Sequence, residues 1–189
     1  MGFSLGHFPH DDIERRKWHD PEVLLRSVGL KRGQTIMDIG CGGGFYALPT
    51  AKIVGSKGRV YGVDTNEYSI KALSDQVAAQ GLENLELRVG RAEETIFCNS
   101  CADIVFFGIV LHDFADPKQV LRNSRVMIKP GGRLANLDWK KEDMAIGPPR
   151  QKRFSEKVAT RLIETAGFSV QSVSEVGRYH YLIIARPQG

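Results

Sequence analysis

The sequence predicts an α/β domain: a mostly parallel sheet with helices on both faces and an antiparallel hairpin at its end. Three observations carry this reading. Apolar strand-like runs alternate with segments of helical spacing almost from end to end. The run at residues 102–108 is nearly continuous in apolar residues, as in a strand covered on both sides. The last two strand-like runs are joined by a short turn at Gly177, and so brief a connection forces an antiparallel pair.

Taken in order, residues 1–22 lack strand character and carry His7, His10, Asp11, Asp12 and His19; they form an N-terminal segment and candidate lid, ahead of a main domain at 23–189. Pro21 opens a short helix over 21–28, with Gly29 near its C-cap. Residues 35–39 are the first strand. Helical spacing then covers 45–54, where Pro49 threatens a kink. Strand 59–63 follows the turn glycines Gly55 and Gly58. Asn66 caps a helix over 67–80, closed by Gly81. Leu85, Leu87 and Val89 alternate with charges in a third strand. After the strand at 102–108, Pro117 opens a helix to about 126. Residues 129–132 form a turn before a strand at 133–137. Val158, Leu162 and Ile163 share one face of a helix at 154–166. Strands at 169–175 and 179–185 complete a seven-stranded sheet.

The chain has 189 residues, 42% of them hydrophobic and 25% charged, which is ordinary for a soluble domain. No apolar run approaches the roughly 20 residues that span a bilayer. The first residues lack a secretory pattern, and Gly6 breaks the myristoylation pattern that Gly2 begins. A cytoplasmic location is therefore expected. Three cysteines, an odd number, argue against a disulfide framework. Cys98 and Cys101 form a lone C-x-x-C, too few ligands for zinc, so no metal is expected and the pair reads as two small thiols in a loop. The net charge of +4 is spread along the chain and demands no nucleic-acid partner.

The chemistry concentrates in Asp38-Ile39-Gly40-Cys41-Gly42-Gly43-Gly44, a strand that breaks into a glycine-rich turn behind a carboxylate. Glycines let the chain turn sharply and let a ligand approach the backbone. The dinucleotide fingerprint requires a further glycine where Phe45 stands, and Asp38 would repel a pyrophosphate. The same carboxylate favours an ammonium. Asp64 ends the second strand, where a carboxylate can accept from both hydroxyls of a ribose. In such sheets ligands bind beyond the carboxyl ends of the strands, which gathers the glycine turn, Asp64 and the loops after Val89 and Phe107 at one edge.

Asp38 to Gly44 together with Asp64 resembles the first motif and the second-strand acidic residue of class I S-adenosylmethionine-dependent methyltransferases. Gly90-Arg91-Ala92-Glu93-Glu94 is similar to their adenine-flanking loop, residues 102–113 to their fourth strand and the segment after it, and Lys129-Pro130-Gly131-Gly132 to their turn into the fifth strand. The resemblance spans residues 23–186 and is nearest to the ubiquinone/menaquinone-biosynthesis-like, or type 11, group. It implies a Rossmann-like class I methyltransferase fold with residues 23–189 as the methyltransferase domain. It implies S-adenosyl-L-methionine as cofactor, S-adenosyl-L-homocysteine as product and a small-molecule methyl acceptor. By the same resemblance Asp38, Gly40, Cys41 and Gly42 surround the methionine part. Asp64 holds the ribose, with Thr65 and Asn66 beside it. Ala92 and Glu93 border the adenine, and Gly108 and His112 line the reactive side. Arg91 stands where relatives often carry an acceptor; a guanidinium has none, so Glu93 or a backbone carbonyl accepts from the adenine amino group.

A sulfonium is an activated methyl donor, so the protein's task is to align a nucleophile in line at about 3–3.5 Å. His112 is the candidate base, with packing near the cofactor as its other role. Asp113 either orients it or faces solvent. Trp139 is a substrate wall or core. Lys140, Lys141, Arg150, Lys152 and Arg153 form either an attractor for an acidic substrate or a solvated basic surface. Arsenite methyltransferases share the fold and use several cysteines, but the rest of their cysteine pattern is missing here. Two other functions stand beside methyl transfer: a non-catalytic S-adenosylmethionine-binding protein, and a nicotinamide-dependent oxidoreductase, against which the broken fingerprint speaks. The acceptor atom and the oligomeric state are not legible in the residues.

Overall fold

The computed structural model describes residues 12–189. His7, His10 and the rest of residues 1–11 of the candidate lid lie outside the described residues. The elements run α1 (Asp12–Arg16), α2 (Pro21–Ser27), β1 (Thr35–Ile39), α3 (Ala47–Val54), β2 (Arg59–Asp64), α4 (Glu67–Ala79), β3 (Leu85–Val89), β4 (Ala102–Gly108), α5 (Pro117–Met127), β5 (Ile128–Trp139), α6 (Glu156–Thr165), β6 (Phe168–Val176) and β7 (His180–Pro187). The strands form one seven-stranded sheet in the order β3-β2-β1-β4-β5-β7-β6. β3, β2, β1, β4 and β5 are parallel, whereas β7 runs antiparallel to both β5 and β6. The chain leaves β1 toward β2 on one side and returns to β4 on the other, so the switch point lies at the β1 tip.

Period-two alternation divides the sheet's side chains between two cores. Met37, Ile39, Val105, Phe107, Leu134 and Ile183 pack on one face, with α5 and α6. Ile36, Ile104, Phe106, Leu137 and Trp139 pack on the other, joined by Leu25 of α2 and Val54 of α3. Trp139 is therefore core rather than a substrate wall; it is fully buried and meets Trp18 edge-on, with ring centroids 5.2 Å apart. Helix starts follow their capping chemistry. Asp20 accepts from the N–H of Glu22 and Val23, Asn66 from Ser69, Asp116 from Gln119 and Ser155 from Val158. Pro21 and Pro117 occupy first-turn positions, where the missing N–H costs nothing.

The structure corrects several expectations. α3 starts at Ala47 rather than residue 45. Pro49 cannot donate to the Phe45 carbonyl, so Phe45 and Tyr46 stay outside the helix and turn their rings into the core. Residues 129–132 do not form a separate turn. They lie within β5, where the register to β4 shifts between Ala102↔Ile128 and Ile104↔Arg133. A Cβ on Gly132 would stand 2.8 Å from an Ile128 methyl and 3.0 and 3.1 Å from the carbonyl oxygens of Ala102 and Asp103, so the bulge favours glycine. α1 and two single 3-10 turns, Ala92–Glu94 and Leu111–Asp113, escaped the sequence reading.

Cys98 and Cys101 are joined in a disulfide, not two free thiols. The odd count excluded a framework of bridges but not one local bridge that leaves Cys41 over. Two of the five residues of the basic cluster are committed, while Lys141, Arg150 and Lys152 stay exposed as a solvated surface. Arg153 is 3% exposed, and its guanidinium donates to the carbonyls of Pro148, Lys140, Glu142 and Ile146. Lys140 pairs with Glu175 at 3.0 Å. No helix among the described residues is long and apolar enough to cross a membrane.

The disulfide closes a ring only three residues apart in sequence. By loop-closure entropy, replacing both cysteines by serine should lower unfolding free energy by about 1–2 kcal/mol. Urea unfolding of the double variant and of the reduced native chain should agree; no change in midpoint for either would show that the bridge contributes nothing.

Candidate functional site

The glycine turn after β1 is held down by its own backbone. The N–H groups of Gly40 and Cys41 donate to the Val63 carbonyl of β2 at 2.8 and 3.1 Å. Gly40 has φ +76°, and a Cβ there would lie 2.6 Å from a Val110 methyl, so both conformation and space require glycine. Gly42 has φ +50° but faces open space, its nearest neighbour being Asp64 Oδ2 at 4.0 Å from an added Cβ. The Gly42 N–H donates to Asp64 Oδ2 at 2.8 Å, and the Asn66 N–H to Asp64 Oδ1 at 2.9 Å. Each Asp64 oxygen thus keeps a lone pair for a ligand while its direction is fixed.

A cleft of about 390 Å³ opens beside this turn, lined by Gly40, Asp64 and Thr65 on one side and by Gly90 to Glu93 and Val110 on others. Asp113 and Phe114 complete the rim. Glu93 is held below the usual carboxylate range: burial opposes ionisation, but the N–H groups of Glu93 itself, Asp116 and Ala115, with Arg91, outweigh it. Its Oε1 accepts from Ala115 and Asp116 at 3.1 and 3.2 Å, which ties the rim to the loop after β4. Asn123 of α5 donates to the carbonyls of Ala92 and Glu93 at 3.1 and 2.8 Å. Arg91 turns toward Glu93 and Glu94, at 3.7 and 3.5 Å.

Asp38 stands on the other side of the turn. It is 2% exposed, and neither carboxylate oxygen has a hydrogen-bond partner among the described residues. Burial pushes its carboxyl up to about 7, against the pull of Arg15 and with a smaller push from Asp64. Cys41 Sγ is buried against β2, 3.0 Å from an added Cβ at Gly62, and burial pushes its thiol well up, which argues against a reactive role. Gly108 does not line the cleft. A Cβ there would meet the Tyr46 ring at 2.5 Å, so this glycine makes room for Tyr46. The next residue, Ile109, has φ +65°, a strained conformation for a β-branched side chain at the ligand edge.

His112 is fully enclosed. Its Nδ1 lies 2.6 Å from Asp138 Oδ1, both side chains being 0% exposed, and its Nε2 lies 3.4 Å from Asp113 Oδ2 at the rim. Burial alone would lower the His112 pKa, but the hydrogen bond and charge of Asp138, aided by Asp113, hold it above the ordinary value. Asp138 escaped the sequence reading as a site residue. The available signal was an acidic residue at the tip of β5, next to the strand that carries His112.

The geometry gathers Gly40, Asp64, Thr65, Ala92 and Glu93 around one cleft, with Asp38 across the turn; Gly108 and His112 sit behind its rim. An unpartnered buried carboxylate calls for a cation, and Asp64 calls for hydroxyls. A sulfonium nucleoside bearing an ammonium meets both demands, whereas a pyrophosphate would face two carboxylates. The comparisons agree with this chemistry. Residues 30–173 match the methyltransferase-domain family. A SAM-dependent methyltransferase from Aquifex aeolicus is similar in structure, with a TM-score of 0.88 and 35% identity, covering 93% of each chain. Demethylmenaquinone methyltransferases from Geobacillus kaustophilus and Listeria monocytogenes are 33% and 34% identical over 65% of this chain and 51% of their own. The chain thus spans about half the length of these curated relatives. It belongs to the methyltransferase-domain family. Within it, the chain has the fold of the class I S-adenosylmethionine-dependent methyltransferases, and its sequence is similar to that of the menaquinone-type members.

The Asp38 environment sets a pH-dependent stability. A carboxyl raised from 3.8 to about 7 carries no ionisation penalty while protonated, and that penalty grows as pH rises from the lower value through the upper one. Asp38→Asn should therefore stabilise the ligand-free protein by roughly 2–4 kcal/mol at pH 8 and by little at pH 4. Denaturant midpoints that differ equally at both pH values would contradict this.

Proposed function

We propose that the chain transfers a methyl group from S-adenosylmethionine to a small-molecule acceptor. The observation that carries this reading is the pair of carboxylates, Asp38 and Asp64, on opposite sides of a glycine turn beside a nucleoside-sized cleft. The cofactor, when bound, supplies a methyl group activated on a sulfonium. In this reading Asp64 receives the ribose hydroxyls, oriented by the N–H groups of Gly42 and Asn66. Asp38 receives the ammonium, whose charge brings the buried carboxylate into its ionised form. Thr65, Asn66, Ala92 and Glu93 border the nucleoside, and Gly40, Cys41 and Gly42 shape the backbone around the amino-acid end.

His112 is the base for an acceptor that must lose a proton. Asp138 holds Nδ1 and leaves Nε2 directed at the rim, where Asp113 stands. As a base it must be neutral, and its raised pKa makes it a stronger base once deprotonated. The demethylmenaquinone methyltransferase relatives make a reduced quinone ring the first acceptor to try. Neither a partner nor an oligomeric state enters the proposal, and the reading involves no nucleic acid.

Three outcomes follow. Offered S-adenosylmethionine with a panel of quinols, phenols, amines, thiols and arsenite, the protein should release S-adenosylhomocysteine with one acceptor class; binding without release for every class would mark a non-catalytic binder. Asp64→Ala should weaken S-adenosylhomocysteine binding by about 1–3 kcal/mol in a calorimetric titration, through lost hydrogen bonds. Unaltered affinity would remove the ribose role. The kcat/KM of the active pair should rise with pH through the elevated His112 pKa, and Asp138→Asn should move that limb to lower pH; a limb that stays put would separate His112 from proton transfer.

A further inference from the structure

The crossover from β3 to β4, residues 90–101, runs as loop apart from the 3-10 turn at Ala92–Glu94. It is held at both ends. At its start Ala92 and Glu93 line the cleft, and Asn123 of α5 holds their carbonyls. At its end the N–H groups of Ser100 and Cys101 donate to the carbonyls of Val126 and Met127, at 2.9 and 3.0 Å, in the last turn of the same helix. Between the two ends Phe97 lies against Tyr61, with ring centroids 5.1 Å apart, and its N–H donates to the Met127 sulfur at 3.4 Å. The cleft rim and the corner into β4 are thus two ends of one short segment fastened to one helix.

The Cys98–Cys101 disulfide sits at that corner. Inside its ring Ser100 has φ +49°, a left-handed backbone that a serine adopts at a cost. The bridge and the two hydrogen bonds to α5 hold it there. Both bridged cysteines are half-buried, and Asn99 and Ser100 between them are exposed, so a thiol can reach the bridge from solvent. Cys41, by contrast, is buried. An accessible bridge around a strained residue is of the labile kind.

We propose that Cys98 and Cys101 form a redox-modification site that sets the affinity of the cleft for the cofactor. A thiolate of a dithiol attacks one sulfur of the bridge, and the dithiol's second thiol then displaces the chain from the mixed disulfide. The chain gains two electrons and two protons and keeps two thiols, and the dithiol leaves as a disulfide. The reverse exchange restores the bridge. Opening the ring lets Ser100 relax to a negative φ, which withdraws the N–H groups of Ser100 and Cys101 from α5 and slackens the segment whose other end is Ala92 and Glu93. The bridged form binds the cofactor more tightly, and by linkage the bound cofactor makes the bridge harder to reduce by the same factor. The inference rests on the cleft being the cofactor's and is independent of the acceptor.

The test is a calorimetric titration of the full chain with S-adenosylhomocysteine, bridged and after reduction with dithiothreitol, beside the double variant Cys98→Ser, Cys101→Ser under both conditions. Reduction should weaken binding about 5- to 20-fold, the variant should bind like the reduced chain in both conditions, and reoxidation should restore the native chain. In a graded series of reduced to oxidised dithiothreitol, saturating S-adenosylhomocysteine should raise the ratio that half-reduces the bridge by the same factor. Equal affinity of the bridged and reduced chains would overturn the proposal. So would a bridge that withstands the dithiol until the chain unfolds, or a variant that still responds to it. A native chain that binds in neither state would sink the cofactor assignment itself and the redox control with it.

Discussion

A carboxylate buried without a partner is the constraint around which the ligand edge is built. Asp38 is the penultimate residue of an apolar strand, sealed from water beside Tyr46 and the glycine turn. Burying a charge there is costly, so the group holds its proton up to a pH of about 7 and ionises more readily when something positive arrives. Much of the neighbourhood keeps water away from it. Phe45 and Tyr46 meet edge-on at 4.9 Å, His19 stacks on Tyr46 and bonds its hydroxyl at 2.7 Å, and His180 packs against His19, Trp18 and Trp139. Burial lowers the pKa of His19 to about 4 and that of His180 to about 3, which keeps both rings neutral beside Arg15.

The sheet separates two kinds of polar work by strand parity. Asp38 and the aromatic group share the face of Ile36 and Phe106. Asp138 and Asn136, at alternate positions of β5, share the opposite face with Tyr181 of β7 and with His112. The face that carries Asp38 is thus the one on which a cation is awaited, and the other is the one on which a proton can be held. Both reach the same edge because β1 and β4 are neighbours and the loop after β4 crosses it. The left-handed backbone at Ile109 marks where that loop breaks away from the sheet.

What was legible in the chain was whatever depends on neighbours in sequence. The glycine turn, Asp64, the cap at Asn66, and strands β1, β3 and β4 could be read because local geometry and burial pattern determine them. The pairing of His112 with Asp138 could not, since it joins residues 26 apart through the adjacency of β4 and β5. Arg15 is an ordinary helical arginine in the sequence; only the fold puts it on Phe45. Gly108 depends on the fold in the same way: the resemblance implied a place on the reactive side, and in the structure the Tyr46 ring fills the space that a side chain there would take. Within the basic cluster, only the fold separates Arg153 and Lys140, received by backbone and by Glu175, from Lys141, Arg150 and Lys152, which meet solvent.

Arg153 has a consequence for how this family member can change. A single guanidinium gathers four main-chain oxygens and so dictates the path of residues 140–149. Main-chain oxygens are the same whatever side chains the segment bears. The segment can therefore be rewritten outwardly, residue by residue, while its course survives, provided that one arginine is kept. A lysine, with three hydrogens on one nitrogen and no planar fork, could not perform the same gathering. Variation in what this surface displays is thereby uncoupled from the integrity of the domain beneath it.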